Sequence, residues 1–288
     1  MKANLLFLHA LSPLHVGTGQ GVAVIDLPIA REKGTDIPIV PGSSVKGVLR
    51  TACEDEDIRK KVFGPETGNA SEHAGSAQFT DQRLVCLPVR SLAGVFAWVT
   101  SPFMLQRLKR DAETAEIDVS HEIPEVSNEE DCFVLSETIL KLPVDGADRI
   151  VLEDVICTPQ TNEAAKSWAQ WLGKHLFEHK EWQKTFAQRF CIVHDDVLGY
   201  LLDVGTEVTA RICINDEKKT VAHGALWYEE SLPAESVLAG LMVIDPVEAT
   251  EYEVTQTIKE IMAQPLQVGG NTTVGRGLCR MVMVLGGA

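Results

Sequence analysis

A chain of 288 residues, 45% of them apolar, holds enough material for one large core or two modest ones. Its 41 acidic and 26 basic side chains leave a net charge of −15. That excludes a protein basic over its whole surface and confines any polyanion contact to a local groove of a few cations and main-chain amides. Seven dispersed cysteines, with no CxxC pair and no close Cys/His cluster, indicate reduced core thiols and a cytoplasmic protein, and no run approaches the ~18 apolar residues of a membrane helix.

The first apolar run, residues 3–11, superficially resembles a signal peptide. It is short, contains Asn4 and His9 and has no cleavage site before Pro13, so a β-strand is expected. A long irregular arm follows over 12–42, with glycines at 17, 19 and 21 and prolines at 13, 28, 38 and 41. Pro41-Gly42-Ser43-Ser44 reads as a helix start with serine as N-cap. The helix carries Val45, Val48, Leu49 and Ala52 on one side and Lys46 with Arg50, at i and i+4, on another.

Residues 77–89 read as a strand region and 91–110 as a helical stretch broken near Pro102. The segment 111–160 is acidic and mixed, with short strand-like runs at 132–142 and 149–157. A strong amphipathic helix is expected from about 162 to 190. Thr206–Ile214 and Thr220–Tyr228 alternate and read as a β-hairpin with a charged tip at 215–219. A buried strand at 237–244, a helix at 251–263 and a last strand at 278–285 close the chain. Without the arms the order is strand, helix, strand, strand, helix, strand, which is the ferredoxin-like (RRM-like) α+β order enlarged by insertions. No repeat and no linker interrupts it, so one domain over 1–288 is expected.

The nine residues Gly269–Gly277 (GGNTTVGRG) make a poor core segment and a good anion cradle. Glycine lets the main chain approach a ligand and visit positive φ, and successive exposed N–H groups form an anion-binding concavity. The spacing is neither the Walker pattern nor the dinucleotide fingerprint; a tight turn between elements is the plain alternative. At the helix start, unpartnered N–H groups, the positive dipole end, Ser43, Ser44, Lys46 and Arg50 make a second phosphate site. Asp26 is a lone carboxylate in an apolar stretch of the arm, either a turn residue before Pro28 or a general base or ligand for a hard divalent cation. His15 is either a packing residue or a proton carrier near neutrality. Glu229 and Glu230 end the hairpin as a charge pair of the kind that is ordinarily solvated. His175 and His179 at i, i+4 on a helix lack a third metal ligand.

Three stretches together, Leu14–Gly19 (LHVGTG), Ile39–Arg50 (IVPGSSVKGVLR) and the glycine-rich loop before the last strand, resemble the RAMP superfamily of CRISPR proteins. Phe79–Leu84 (FTDQRL), Pro88–Pro102 (PVRSLAGVFAWVTSP) and Gly224–Glu230 (GALWYEE) narrow the likeness. They resemble the repeated backbone subunit of type III-B (Cmr) effector complexes, a relative of the Cas7 proteins. The likeness runs from residue 5 to 285 and is least distinctive over 111–200.

The resemblance implies a palm over about 1–90 and 235–288, with insertions over about 91–235 forming thumb and lid. It implies copies stacked head-to-tail along a guide RNA, further effector-complex subunits, and cleavage of a complementary target RNA at regular intervals by a metal-dependent endoribonuclease using Mg²⁺ or another divalent cation. Asp26 matches the family's cleavage residue and is the expected metal ligand; His15 matches an assisting residue, and the acidic residue after the Trp-Tyr strand is Glu229 or Glu230. The acidity of the chain leaves RNA contact to Ser43, Ser44, Lys46, Arg50, Arg90, Gly269, Gly270, Asn271, Thr272, Thr273, Gly275 and Arg276. That requires an open trough joining the glycine loop to the serine-headed helix. A hairpin at 206–228 is the expected thumb. A non-cleaving scaffold and a guide-processing endoribonuclease are the alternatives.

Overall fold

The structure, a computed structural model, describes residues 1–19, 25–66, 73–214 and 221–287, with the side chains of 214 and 221–225 left out. The hairpin tip at 215–219, Gly21 and the apolar run 22–24 lie outside the described residues. In chain order, β1 (Lys2–Ala10) leads through the arm to β2 (Ile39–Val40), α1 (Gly42–Ala52), α2 (Glu56–Phe63), β3 (Ala77–Phe79) and β4 (Gln82–Arg90). Next come β5 (Phe96–Thr100), α3 (Pro102–Thr114), β6 (Asp131–Val134), β7 (Leu142–Val144), β8 (Ala147–Leu152) and β9 (Val155–Thr161). Helices α4 (Glu163–Leu176) and α5 (Lys180–Arg189), β10 (Phe190–Val193) and α6 (Asp195–Val204) precede the ribbon of β11 (Glu207–Ile214) and β12 (Val221–Ser231). The chain ends with β13 (Val237–Ile244), α7 (Glu251–Met262), β14 (Leu266–Gln267) and β15 (Leu278–Val284).

Strand β1 is apolar on both faces, and both are covered. Leu6, Leu8 and Ala10 point into one core with Val45 and Leu49 of α1, Val254 and Ile258 of α7 and Leu198 and Leu201 of α6. Leu5 and Phe7 point into the other with Leu105 and Leu108 of α3, Trp168 and Leu172 of α4 and Phe186 of α5. A sheet with helices on each side must bury both side-chain sets of its central strands. Around β1 the order is β15-β1-β13-β4 with every adjacent pair antiparallel. The same sheet continues through β5, β10, β6, β9, β8 and β7, so the 91–200 segment extends it. β11 and β12 form a separate two-stranded ribbon.

Several local expectations need correction. The stretch 91–110 is not a broken helix: Phe96–Thr100, aromatic and β-branched, is a strand buried at four of its five positions. Pro102 starts α3 rather than breaking it, because the first helical position needs no N–H partner. The single helix over 162–190 is two helices, since Phe177 turns extended and sinks its ring into the core. His175 therefore ends α4 while His179 caps α5, and they share no helix face. No serine caps α1. Pro41 occupies the N-cap, and the carboxylate of Asp81 takes the Gly42 N–H at 2.8 Å.

Candidate functional site

The arm returns alongside the ribbon. Leu27 N–H donates to the Tyr228 carbonyl at 3.0 Å and Glu230 N–H to the Leu27 carbonyl at 3.0 Å, a parallel pairing at the root of β12. This pairing fixes Asp26, whose carboxylate is exposed while Oδ2 accepts the Tyr228 N–H at 2.8 Å. Upstream, Leu14 pairs with Leu232 and holds His15, buried to 7% exposure. The Nδ1–H of His15 donates to the Glu230 carbonyl at 2.6 Å. A carbonyl only accepts, so the proton resides on Nδ1 and Nε2 carries the lone pair.

Glu229 and Glu230 are both buried, not solvated, because the arm and the glycine loop close over them. Alternation sends them to opposite sides of the ribbon. Glu230 is a strut: Oε2 accepts from Ile29 N–H at 3.0 Å and Oε1 from Arg31 at 2.7 Å. Glu229 faces the glycine loop and accepts from Trp227 Nε1 at 2.9 Å, Arg211 Nε at 3.0 Å and Asn271 Nδ2 at 3.0 Å. Burial pushes its pKa up, but the Trp227 and Arg211 bonds outweigh that and hold it below the ordinary carboxylate value. Arg31 and Arg211 are not singled out by the sequence. The alternation of Glu207, Thr209 and Arg211 already places Arg211 on the Trp227 side once the hairpin register is known.

The glycine loop lies against this site. Gly270 N–H donates to the His15 carbonyl at 2.9 Å, and Gly277 N–H to the Pro13 carbonyl at 2.8 Å. Asn271 and Gly275 are left-handed, at φ 61° and 82°, on either side of a 3-10 turn over Thr272–Val274. Gly269, Gly270, Thr272, Thr273 and Gly275 are exposed. Arg276 is already held, by Ser231 Oγ at 2.9 Å, Thr209 Oγ1 at 3.2 Å and Glu207 at 3.4 Å, and braces the loop on the ribbon.

The other cation group lies elsewhere. Ser43 and Lys46 line a cleft of about 450 Å³ with Phe63, Gly64 and His73, and no residue of the glycine loop lines it. Ser44 N–H bonds the Pro41 carbonyl, and Arg50 is tied to the Gly64 carbonyl and to Glu66. Arg90 is exposed at the end of β4 and forms no ion pair with a described residue. The structure thus unites Asp26, His15, Glu229 and the loop, and leaves Ser43–Arg50 and Arg90 as separate patches.

The donors around Asp26 offer a hard divalent cation few open oxygens of their own. Each carboxylate oxygen of Glu229 and Glu230 already accepts at least one N–H, whereas Asp26 Oδ1 accepts from no described residue. A hard cation here would therefore take Asp26 as its protein ligand and fill its shell with water or phosphate oxygens. Among the described residues, the side chains whose ligand atoms converge closely enough for a metal are Glu129, His194 and Asp196, away from this site.

Fold and site together define an α/β protein whose antiparallel centre carries, at one end, a carboxylate–histidine pair beside an open glycine loop. The RAMP superfamily model matches residues 7–280, and the chain belongs to that superfamily. It is 37% identical over 298 residues to the CRISPR system Cmr endoribonuclease Cmr4 of Pyrococcus furiosus, covering 98% of this chain and 96% of that one. The crystal structure of oligomeric Cmr4 from Pyrococcus furiosus matches at TM-score 0.74 and 30% identity, over 99% of this chain and 98% of that one. The fold also matches a subunit of the type III-B Cmr-beta complex bound to cognate target RNA, at TM-score 0.73 and 20% identity over 98% and 97%.

Proposed function

We propose that the protein is the repeated backbone subunit of a type III-B CRISPR ribonucleoprotein and cleaves target RNA paired to its guide. One observation carries this reading: the exposed Asp26 carboxylate, the His15 ring oriented by the Glu230 carbonyl and the exposed glycine loop meet at the root of one ribbon. The order β15-β1-β13-β4, crossed by α1 and α7, supports a ferredoxin-like palm, with the β11–β12 ribbon as thumb and the 91–200 elements as its insertions. Copies stack head-to-tail along the guide beside other subunits, in the cytoplasm. No helix of the described residues is long and apolar enough to cross a membrane.

The N–H groups of Gly270 and of residues 274–277 are taken up inside the protein. The N–H groups of Asn271, Thr272 and Thr273 with the two threonine hydroxyls therefore hold phosphates without reading bases, as a guide of variable sequence requires, and base pairing supplies the specificity. The ribbon presents Val208, Ile212, Leu226 and Tyr228 on one face, each 40–56% exposed. Apolar wedges of this kind unstack and kink duplexes. A splayed nucleotide then turns its 2′-OH in line with the next phosphorus. The 2′-oxygen bonds phosphorus, its proton passes to Asp26, and the P–O5′ bond breaks. His15, its Nε2 first protonated from solvent, gives that proton to the departing 5′-oxygen, leaving a 2′,3′-cyclic phosphate and a 5′-hydroxyl. Positioned acid–base groups contribute about 10²–10⁴ in rate. A divalent cation would arrive with the RNA phosphates, adding charge neutralisation; Asp26 would be its protein ligand.

Asp26→Asn tests the assignment, because asparagine's side-chain oxygen still accepts the Tyr228 N–H. In a complex reconstituted with guide and labelled target, assembly is expected to persist while cutting falls by about 10²–10⁴. Cutting at the normal rate would reduce the chain to a scaffold.

A further inference from the structure

On the far side of the β14–β15 edge, a cleft of about 600 Å³ opens between the end of α4, the start of α5 and the end of α7. That is room for a nucleotide-sized ligand. Its charge is opposite to that of the chain. Lys174, Lys259 and Arg280 reach it from α4, α7 and β15, all exposed and none in an ion pair with a described residue, while Glu178 is the single carboxylate on its wall. His175 adds no charge at neutral pH, since burial and then Lys174 push its pKa down.

The cleft also holds a preset aromatic platform. Trp182 lies flat on Phe177, ring centroids 6.0 Å apart and planes at 18°, and is 50% exposed. Phe177 is itself fixed between Trp98, Phe186 and His9. One indole face is therefore backed by the core and the ring still presents half its surface to solvent.

We infer that this cleft is a second RNA subsite, which takes one nucleotide of a single strand with its base on Trp182 and the adjoining phosphates on Lys259, Arg280 and Lys174. A stacking ring beside unpaired cations is the combination that holds single strands without sequence preference. Continuity favours RNA over an acidic peptide. Both β14 and β15 run from the cleft into the glycine loop, and Arg280 stands three residues beyond Gly277, about 10 Å along a strand. Neither β14 nor β15 carries a carboxylate, so an RNA strand that follows them from the loop to the cleft meets none on either one.

The inference rests on the RNA-binding reading above, and its test separates the two. The full chain is titrated against a short fluorescein-labelled single-stranded RNA over a salt series, as wild type, Trp182→Ala, Trp182→Phe, and Lys259→Ala with Arg280→Ala. Trp182→Ala is expected to weaken binding about tenfold, with Trp182→Phe recovering most of it. The double lysine–arginine variant is expected to lower the slope of log K against log salt by about 1.4, at about 0.7 per lost phosphate contact. All side chains changed are exposed or half-exposed, and melting curves confirm folding. Wild-type affinity in every variant overturns the subsite while leaving the RNA-binding reading intact. Loss of self-association with unchanged RNA affinity also overturns it and assigns the cleft to a second copy. No RNA binding by the wild type overturns both.

Discussion

His15 donates its Nδ1–H to the carbonyl of Glu230 at 2.6 Å, across 215 residues of sequence. That bond selects the tautomer and aims Nε2 away from the ribbon. Gly17 guards the same side, because a Cβ there would stand 2.8 Å from Nε2. Two substitutions follow. His15→Ala is expected to lower target cutting by about 10²–10⁴ with RNA affinity retained. Gly17→Ala, which keeps the imidazole but crowds it, should lower the cutting rate with little change in melting temperature. Single-turnover cleavage by the assembled complex measures both; normal turnover in Gly17→Ala would mean that the Nε2 side is idle.

Glu229 and Glu230 are expected to separate stability from activity. Glu230→Gln removes the buried negative charge beside Arg31, 17% exposed, and turns an NH₂ toward either Arg31 or the Ile29 N–H. Breaking such a pair from one side costs about 3–5 kcal/mol, seen as a large drop in melting temperature. Glu229→Gln keeps one oxygen, which can still accept from Arg211 and Asn271, and turns its NH₂ toward Trp227 Nε1, so about 1–3 kcal/mol is expected, with the larger effect on cleavage. A reversed ranking in denaturant titrations would assign the loop-facing carboxylate a purely structural role.

The core elements are legible because their signals are local. Period-two and helical apolar patterns give β1, α1, β13, α7 and β15, and the glycine run gives an exposed loop. The misread features depend on distant chain. Nothing near Glu230 announces that Arg31 and the Ile29 N–H will cover it. The N-terminus of α1 is capped by Asp81, 39 residues away, which no serine motif shows. Phe96–Thr100 is apolar enough for either a helix or a strand, and its pairing with β4 and β10 decides the matter. Asp26 and His15 are visible as candidates by residue type, but their placement comes from the arm pairing with a ribbon 200 residues on.

Glu32 sets an acid limit on the fold. The Arg107 guanidinium bonds its carboxylate, with Arg83 at 3.3 Å, and together they hold its pKa at about 2 against burial. The folded value is depressed, so this stabilisation is complete above the unfolded value of about 4.5 and is lost as pH falls toward 2. At neutral pH it amounts to at most about 3 kcal/mol. The stability gap between wild type and Glu32→Gln should therefore be constant from pH 7 to 5 and close below pH 4. A gap unchanged at pH 3 would show that the carboxylate's charge contributes nothing there.

Two glycines of the loop, both left-handed, should respond differently to the same substitution. Gly275, at φ 82°, has open space where a Cβ would go, so Gly275→Ala bears only the left-handed cost of about 1–2 kcal/mol. Gly269, at φ 79°, would place a Cβ 2.2 Å from the His15 carbonyl, the atom that accepts the Gly270 N–H. Gly269→Ala must therefore displace the loop from the arm and disturb His15 with it. Melting, RNA affinity and cleavage are all expected to fall in Gly269→Ala, while Gly275→Ala loses stability alone. If the two variants lose RNA affinity equally, the phosphate cradle is the tip of the loop rather than its junction with the arm.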